Sequence, residues 1–121
     1  MSTSSYHDLR VWQHAIQLAL SVYRATEAFP KHELYGLSQQ MRRAAVCVAS
    51  NIAEGKGRNT YKEFRQFLFN ARGSLLELET QLLIAHELSY VPKHTYLDLR
   101  NATRDAGRSL AGLLNSLAVA A

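Results

Sequence analysis

The chain has 121 residues, of which 47% are hydrophobic and 20% charged, with only two prolines and six glycines. This length and composition exclude a disordered chain and predict one compact domain, residues 1–121, with a single hydrophobic core. Fourteen Lys and Arg against ten Asp and Glu give a net charge of +4, so polyanions are candidate partners.

The first helix is predicted over about residues 6–28. Ser5, followed three residues later by Asp8, predicts a capping box at its start, and Pro30 marks its end because proline disfavours helical geometry in the preceding residue. Two apolar series run side by side at steps of three and four residues. They are Leu9, Trp12, Ile16, Ala19, Tyr23 and Thr26, and Val11, Ala15, Leu18, Val22, Ala25 and Phe29.

The second helix is predicted over about residues 36–55. Gly55 and Gly57 supply stop signals at its end. Its apolar positions again follow the helical spacing. They are Leu37, Met41, Ala44 or Ala45, Val48 and Ile52.

The third helix, about residues 60–89, has the most regular pattern in the chain. Thr60 and Glu63 form a capping box at its start. Apolar residues then alternate between steps of four and three, as they do where helices pack side by side. They are Phe64, Leu68, Ala71, Leu75, Leu78, Leu82 and Ala85.

A fourth helix, about residues 93–118, follows Pro92 with the same spacing. Its apolar positions are Tyr96, Leu99, Thr103, Ala106, Leu110, Leu113 and Leu117. No segment shows the alternation of a half-buried strand, and all the connections are short. We therefore expect an all-α protein, folded as an up-down antiparallel four-helix bundle.

Two helices carry a second apolar line beside the main one. On the third helix, Phe69, Leu76, Leu83 and Tyr90 recur at intervals of seven, and Val11, Leu18 and Val22 form a comparable line on the first helix. One interpretation is a wide stripe that faces the core of a monomer. The other, equally weighted, is a subunit interface, because two lines on one helix imply two sets of neighbours.

The single cysteine, Cys47, excludes an internal disulfide and any multi-cysteine metal site within the chain. The N-terminus lacks the pattern of an export signal, and the longest apolar run, Ala44 to Ala49, is far shorter than a membrane span. We expect a cytoplasmic protein with no membrane partner.

The residues that carry chemistry do not form a recognisable catalytic or metal site. The histidines lack the Glu-x-x-His spacing of di-iron bundles, and the loop from Gly55 to Thr60 lacks the order of a phosphate-binding loop. Cys47 lies in an apolar run, which favours a packed thiol over a nucleophile. The sequence predicts no metal, no cofactor and no enzymatic activity.

A polar line runs along one face of the second helix, at steps of three and four residues. It consists of Gln40, Arg43, Cys47, Asn51, Glu54 and Arg58. Gln40, Asn51 and Glu54 are candidates for contacts between helices or subunits, and Glu54 and Arg58 are spaced for an ion pair. A solvated face is an equally weighted alternative.

Basic residues concentrate in two parts of the chain. Residues 31–58 hold five bases and two acids, and residues 91–121 hold four and two, whereas residues 59–90 hold three and four. The candidates for phosphate contacts are Arg42, Arg43, Lys56, Arg58, Arg100, Arg104 and Arg108. The last three are spaced to form one ridge on the fourth helix. The equally weighted alternative is that Asp98 and Asp105 partly neutralise this helix and the arginines only solvate it.

Several short motifs resemble the bacterial 23S rRNA intervening-sequence proteins, a four-helix bundle family. The resemblance runs from about Asp8 to Tyr90, and its most specific string is Ser50-Asn51-Ile52-Ala53-Glu54-Gly55. The other motifs are Asp8-Leu9-x-Val11-Trp12, Phe29-Pro30, Tyr35-Gly36-Leu37, Gln40-x-Arg42-Arg43-Ala44 and Gly73-Ser74-Leu75-x-Glu77-Leu78-Glu79-Thr80-Gln81-Leu82. Where the family tends to have Ser-Ile-Pro, this chain has Cys47-Val48-Ala49, which removes a helix kink and leaves the fold unchanged.

The resemblance implies a cytoplasmic bundle that assembles into a ring-like homopentamer and has no established enzymatic activity. Some members are encoded within insertions in 23S rRNA genes. A similar basic pentameric bundle is the accessory variability protein of diversity-generating retroelements, which partners a reverse transcriptase. Both relatives imply a connection with nucleic acids by analogy.

These observations lead to one functional hypothesis and one alternative. The hypothesis is a non-catalytic, self-associating bundle that binds structured RNA or DNA through its basic surface residues. The alternative is a protein-interaction scaffold or accessory subunit, for example one that partners a polymerase-type protein such as a reverse transcriptase, with no direct contact to nucleic acid. Charge reversal of the fourth-helix arginines would leave the activity of a scaffold unchanged.

Overall fold

The computed structural model describes residues 5–120, with side chains described up to residue 118. It contains four α-helices, namely α1 (Arg10–Thr26), α2 (Leu37–Lys56), α3 (Tyr61–Glu87) and α4 (Lys93–Ala120). Short 3₁₀ turns at Tyr6–Asp8 and Lys31–Glu33 precede α1 and α2. The expected all-α class is confirmed, with no strand among the described residues.

The helices form an antiparallel four-helix bundle, as expected. Each helix packs against the next along the chain, and α4 returns to pack against α1. The direction is visible at the connections, where Arg42 near the start of α2 lies beside Thr26 at the end of α1. At the other end of the bundle, Gly55 near the end of α2 packs against Phe64 near the start of α3.

The core follows the apolar stripes that the helical spacing predicts, except on α4, where Leu114 is buried and the predicted Leu113 is partly buried. All seven predicted positions of α3, from Phe64 to Ala85, are at most 4% exposed. On α1, the core is formed by the series that contains Val11, Leu18 and Val22, whereas Trp12 and Ile16 of the other series are partly buried at its edge. The second line on α1 is therefore core, not a second interface.

The start of the first helix differs from the prediction. The Ser5 side chain accepts a hydrogen bond from the His7 N–H (3.2 Å) and caps only the 3₁₀ turn. Leu9 is extended (φ −77°, ψ 121°), so α1 begins at Arg10. This break folds the chain back, so that the Tyr6 and His7 rings pack edge-on against Trp12 with centroids 5.1 and 5.0 Å away. A capping motif does not encode this tertiary contact.

Of the two predicted stop signals of α2, Gly57 is confirmed and Gly55 is wrong. The helix continues to Lys56, and Gly57 follows as its C-cap. Gly55 is buried, and a Cβ there would lie 2.7 Å from the Phe67 Cβ and 3.0 Å from the Phe64 ring. Glycine is required here because α3 approaches the helix backbone closely. The predicted cap at Thr60 is confirmed, with its hydroxyl accepting from the Glu63 N–H at 3.1 Å.

The connections at the opposite end of the bundle are joined by a polar cluster. Ser89, in the left-handed region (φ 63°), closes α3 by donating its N–H to the His86 carbonyl. The next residue, Tyr90, donates its hydroxyl to Glu33 Oε2 (2.9 Å), and Glu33 Oε1 accepts from the Leu37 N–H (3.1 Å). One carboxylate thus ties the α3–α4 connection to the start of α2.

Candidate nucleic-acid interface

Arg42 is held in place at the junction of α1 and α2. Its Nε donates to Thr26 Oγ1 (2.7 Å) and its Nη2 donates to the Tyr23 carbonyl (3.3 Å). The guanidinium carbon lies 4.8 Å from the centroid of the Tyr23 ring. A cation at the last carbonyls of α1 stabilises the negative end of the helix dipole. Arg42 therefore has a structural role, and its position is fixed.

Arg42 and Arg43 line a shallow groove of about 600 Å³ on the side of the bundle formed by α1 and α2. We call it the basic groove. Its lining residues are Tyr23, Leu34, Tyr35, Gln39, Arg42, Arg43, Val46 and Cys47. None of these lining residues is acidic, and among the described residues Arg43 has no ion-pair partner. The groove therefore carries an uncompensated positive charge.

The other two cations from this part of the chain lie at the opposite end of α2. Arg58 forms the predicted pair with Glu54 (Nη2 to Oε2, 3.6 Å) and lies over the Phe67 ring at 4.6 Å. Lys56 Nζ lies 5.9 Å from the Phe64 centroid. Exposed pairs of this kind contribute little to stability, but Glu54 offsets the charge of Arg58 locally.

The predicted arginine ridge on α4 is interrupted by carboxylates. Arg104 Nε lies 3.3 Å from Glu79 Oε1 of α3, and Arg108 pairs with Asp105 of its own helix. The Arg100 guanidinium lies 5.9 Å from the Tyr96 ring, and its Nε is buried without a partner among the described residues. The ridge carries a smaller net charge than the three arginines alone suggest.

Three residues of the polar line on α2 are the predicted candidates for contacts between helices or subunits, namely Gln40, Asn51 and Glu54. Asn51 Nδ2 donates to the Cys47 carbonyl (2.8 Å), one turn back, rather than to a neighbouring helix. Gln40 and Glu54 are exposed. Among the described residues, none of the three bonds to a neighbouring helix, and their predicted contact with another subunit stays a prediction.

The second apolar line of α3 lies on the surface. We call Phe69, Leu76 and Leu83 the α3 seam, and their exposed fractions are 38%, 58% and 47%. Leu76 and Leu83 border a shallow depression between α3 and α4, beside Arg104. Tyr90, the fourth residue of the predicted line, instead packs against the core. The seam is thus an exposed apolar line that the bundle itself does not cover.

Electrostatics at the connection between α1 and α2 are set by Glu33. Hydrogen bonds from the Leu37 N–H and the Tyr90 hydroxyl stabilise the carboxylate and lower the pKa of Glu33. The hydrogen bond between the Tyr90 hydroxyl and Glu33 also raises the pKa of Tyr90, because ionised Glu33 favours the neutral phenol. His32 Nε2 lies 3.3 Å from the Tyr90 hydroxyl, at the solvent side of this cluster.

Metal-binding clusters and membrane-spanning helices are both absent from the described residues. No group of three or more His, Cys, Asp or Glu side chains within them is placed to hold a metal ion. No helix in the described part of the chain combines the length and hydropathy needed to cross a membrane.

Fold and surface together define a small antiparallel four-helix bundle with a basic groove and an exposed apolar seam. The sequence profile of the family described as "23S rRNA-intervening sequence protein" matches residues 7–112. The chain belongs to this family, as its motifs predict.

A solved structure supports the fold. A protein from Bacteroides thetaiotaomicron, described as a protein with unknown function from the S23 ribosomal protein family, aligns with a TM-score of 0.78 and 18% identity. The alignment covers 86% of this chain and 97% of that chain. At this identity the likeness shows a shared fold. No curated protein matches the chain.

The two tyrosines of the basic groove, Tyr23 and Tyr35, do not stand out in the sequence as candidate site residues. Tyr23 continues an apolar helical series, so its periodicity indicates packing rather than a surface role. Tyr35 lies in the connection before α2, where no periodicity applies, and it is 85% exposed. Its place in the same groove as Tyr23 depends on how α1 and α2 pack.

Proposed function

We propose that this protein is a non-catalytic, self-associating binding module that holds RNA or DNA through phosphate contacts in the basic groove. The observation that carries the proposal is a groove lined by two arginines and no acid. The description of the family refers to 23S rRNA, which accords with a nucleic-acid partner.

The charge pattern gives the candidate cations different weights. A phosphate that approaches Arg104 or Arg108 also approaches a carboxylate within salt-bridge distance of that arginine. A phosphate in the basic groove meets no such repulsion. Since binding is driven by the release of condensed counterions, the uncompensated cations contribute most to its salt dependence. We therefore place Arg43 at the centre of the site.

A salt titration tests this proposal with two matched variants. Arg43→Ala and Arg108→Ala each remove one positive charge from an exposed arginine. Arg43→Ala should weaken the binding of a fluorescein-labelled RNA. It should also make the fall of log affinity with log salt less steep, by about 1 in slope, whereas Arg108→Ala should change the slope less. Fluorescence anisotropy between 50 and 200 mM salt, a range of about fourfold, measures both. Equal slopes for the two variants would place the contact elsewhere, and binding that is absent or insensitive to salt would remove the proposal.

Self-association is supported by a different observation, the α3 seam. Its three exposed apolar residues recur at intervals of seven, the spacing with which one helix packs against another. The counterpart that we propose is an uncharged groove of about 230 Å³ on the α1–α2 side of a second copy. It is lined by Tyr6, Trp12, Ile16, Ala19, Val46, Ala49, Ser50 and Ala53. Because these are two different patches, the contact is heterologous and forms a ring if its rotation closes.

A further inference from the structure

We infer that the basic groove receives unpaired bases of a single-stranded RNA or DNA segment, which stack on Tyr35 and Tyr23 while their phosphates contact Arg43. This inference rests on the proposed function and specifies which form of nucleic acid the groove selects. Aromatic side chains beside cations are the features with which proteins hold single strands.

Tyr35 presents an almost free ring on a constrained backbone. Tyr35 is 85% exposed, although the residues around it are held by hydrogen bonds. The Glu33 carbonyl accepts from the Gly36 N–H (2.9 Å), and the Glu33 carboxylate accepts from the Leu37 N–H (3.1 Å). A Cβ on Gly36 would lie 2.6 Å from that carboxylate, so glycine fits this turn best. The connection thus holds the backbone that carries Tyr35 and leaves the ring uncovered.

Tyr23 forms the second stacking surface, together with Arg42. Tyr23 is 43% exposed, and the Arg42 guanidinium carbon lies 4.8 Å from the centroid of its ring. Two hydrogen bonds to Thr26 and the Tyr23 carbonyl hold Arg42 in this position. Bases stack on guanidinium planes as well as on aromatic rings. The pair is therefore preorganised, and little side-chain entropy would be lost on binding.

A duplex would not use these surfaces. Its bases are stacked on one another, and its exterior offers phosphates that Arg43 can contact but no free base face for a tyrosine ring. The groove, at about 600 Å³, falls within the usual range of about 300–1,000 Å³ for sites that hold small ligands. A few unpaired nucleotides match both its size and its charge.

Variants at Tyr35 separate stacking from simple apolar contact. Tyr35→Phe retains the ring, whereas Tyr35→Leu retains an apolar side chain without it. We expect Tyr35→Leu to weaken binding of a 20-nucleotide oligothymidylate or oligouridylate by about 5- to 150-fold, and Tyr35→Phe to leave it within about twofold. Because the side chain is 85% exposed, neither change should unfold the bundle, which a thermal melt checks.

The experiment compares the full chain on these single strands and on a 20-base-pair duplex, at equal phosphate concentration, by fluorescence anisotropy. Tighter binding to single strands, lost in Tyr35→Leu alone, supports the inference, and the two oligonucleotides show whether ribose matters. Equal affinity for duplex and single strand, unchanged by Tyr35→Leu, overturns the inference but leaves the proposed function in place. Absence of binding to all three overturns both. If the groove is occupied instead by a second copy of the chain, Tyr35→Leu changes the mass of the assembly but not the affinity for single strands. That outcome overturns the inference as well.

Discussion

Glu33 shows how one side chain can organise a connection. Its carboxylate accepts hydrogen bonds from the Leu37 N–H and the Tyr90 hydroxyl, which belong to different parts of the chain. The first bond closes the turn before α2, and the second ties that turn to the α3–α4 connection. Since Tyr35 lies inside the turn, the same carboxylate also fixes one wall of the basic groove.

The hydrogen bond between the Tyr90 hydroxyl and Glu33 shifts the pKa values of the two groups in opposite directions, and these shifts set the pH range in which it stabilises the fold. Because the pKa of Glu33 is lowered, its stabilisation is present above the unfolded pKa and is lost as pH falls through the folded pKa. Because the pKa of Tyr90 is raised, its stabilisation is present below the unfolded pKa and is lost as pH rises through the folded pKa. The bond should stabilise the fold between about pH 5 and pH 10.

Tyr90→Phe should therefore lower the urea midpoint of unfolding most within that range. The difference from the wild type should shrink below about pH 4 and above about pH 10, where the bond is lost in the wild type as well. Urea titrations at several pH values measure it. Tyr35→Phe is the control, because among the described residues its hydroxyl makes no hydrogen bond. A Tyr90→Phe difference that is constant with pH would mean that the ring, and not the bond to Glu33, stabilises the connection.

At the scale of the helices, two glycines within helices have opposite roles. Gly55 in α2 lies against α3, where an added Cβ would approach the Phe67 Cβ to 2.7 Å. At Gly73 in α3, no described atom other than those of the adjacent residues and the local helix backbone lies within 4 Å of such a Cβ. Helix propensity treats the two positions alike, so only their neighbours distinguish them.

Gly73→Ala should stabilise the protein by about 0.5–1 kcal/mol, because alanine loses less backbone entropy in a helix. Gly55→Ala gains the same propensity, but it forces α2 and α3 apart, an overpacking that typically costs about 1–3 kcal/mol. The net effect should be destabilising. Chemical denaturation of both variants measures the two free energies of unfolding. A Gly55→Ala protein as stable as Gly73→Ala would mean that the α2–α3 contact relaxes without cost.

At the scale of the whole molecule, the unpaired surface of α3 bears on assembly. The α3 seam exposes three large apolar residues at regular spacing, whereas the main apolar stripe of α3, from Phe64 to Ala85, is buried. Exposed apolar side chains are common singly, but a line of them along one helix is typical of an interface. This arrangement favours the subunit interpretation of the second apolar line on α3.

Adjacent residues on α3 provide a matched test of self-association. Leu83 and Ile84 are both 47% exposed, but only Leu83 belongs to the seam, and successive residues of a helix point about 100° apart. Leu83→Glu should shift the protein towards its monomer mass of 13.6 kDa in sedimentation velocity, because a buried carboxylate at an interface is costly. Ile84→Glu should leave the mass of the assembly unchanged. A wild type that is already monomeric at micromolar concentration, or equal effects of both variants, would contradict this role of the seam.

The amino-acid sequence by itself determined the class of fold, the number of helices and most of the core. Helical periodicity sets which residues share a face, and a long amphipathic helix can bury that face in few ways, so the α3 stripe from Phe64 to Ala85 was predictable. The Thr60 cap was predictable for a similar reason, since it depends on residues within one turn. The family motifs, including Ser50 to Gly55, also require only the sequence.

Tertiary structure decided everything that depends on the distance between helices. It showed that Gly55 makes room for α3 rather than ending α2, and that Arg42 is bound to Thr26. It also paired Arg104 with Glu79, a residue 25 positions away, which no local pattern encodes. The basic groove exists only because α1 and α2 bring Tyr23, Tyr35 and the arginines together. Local sequence specifies which way a side chain faces on its own helix, and only packing specifies which side chains it meets.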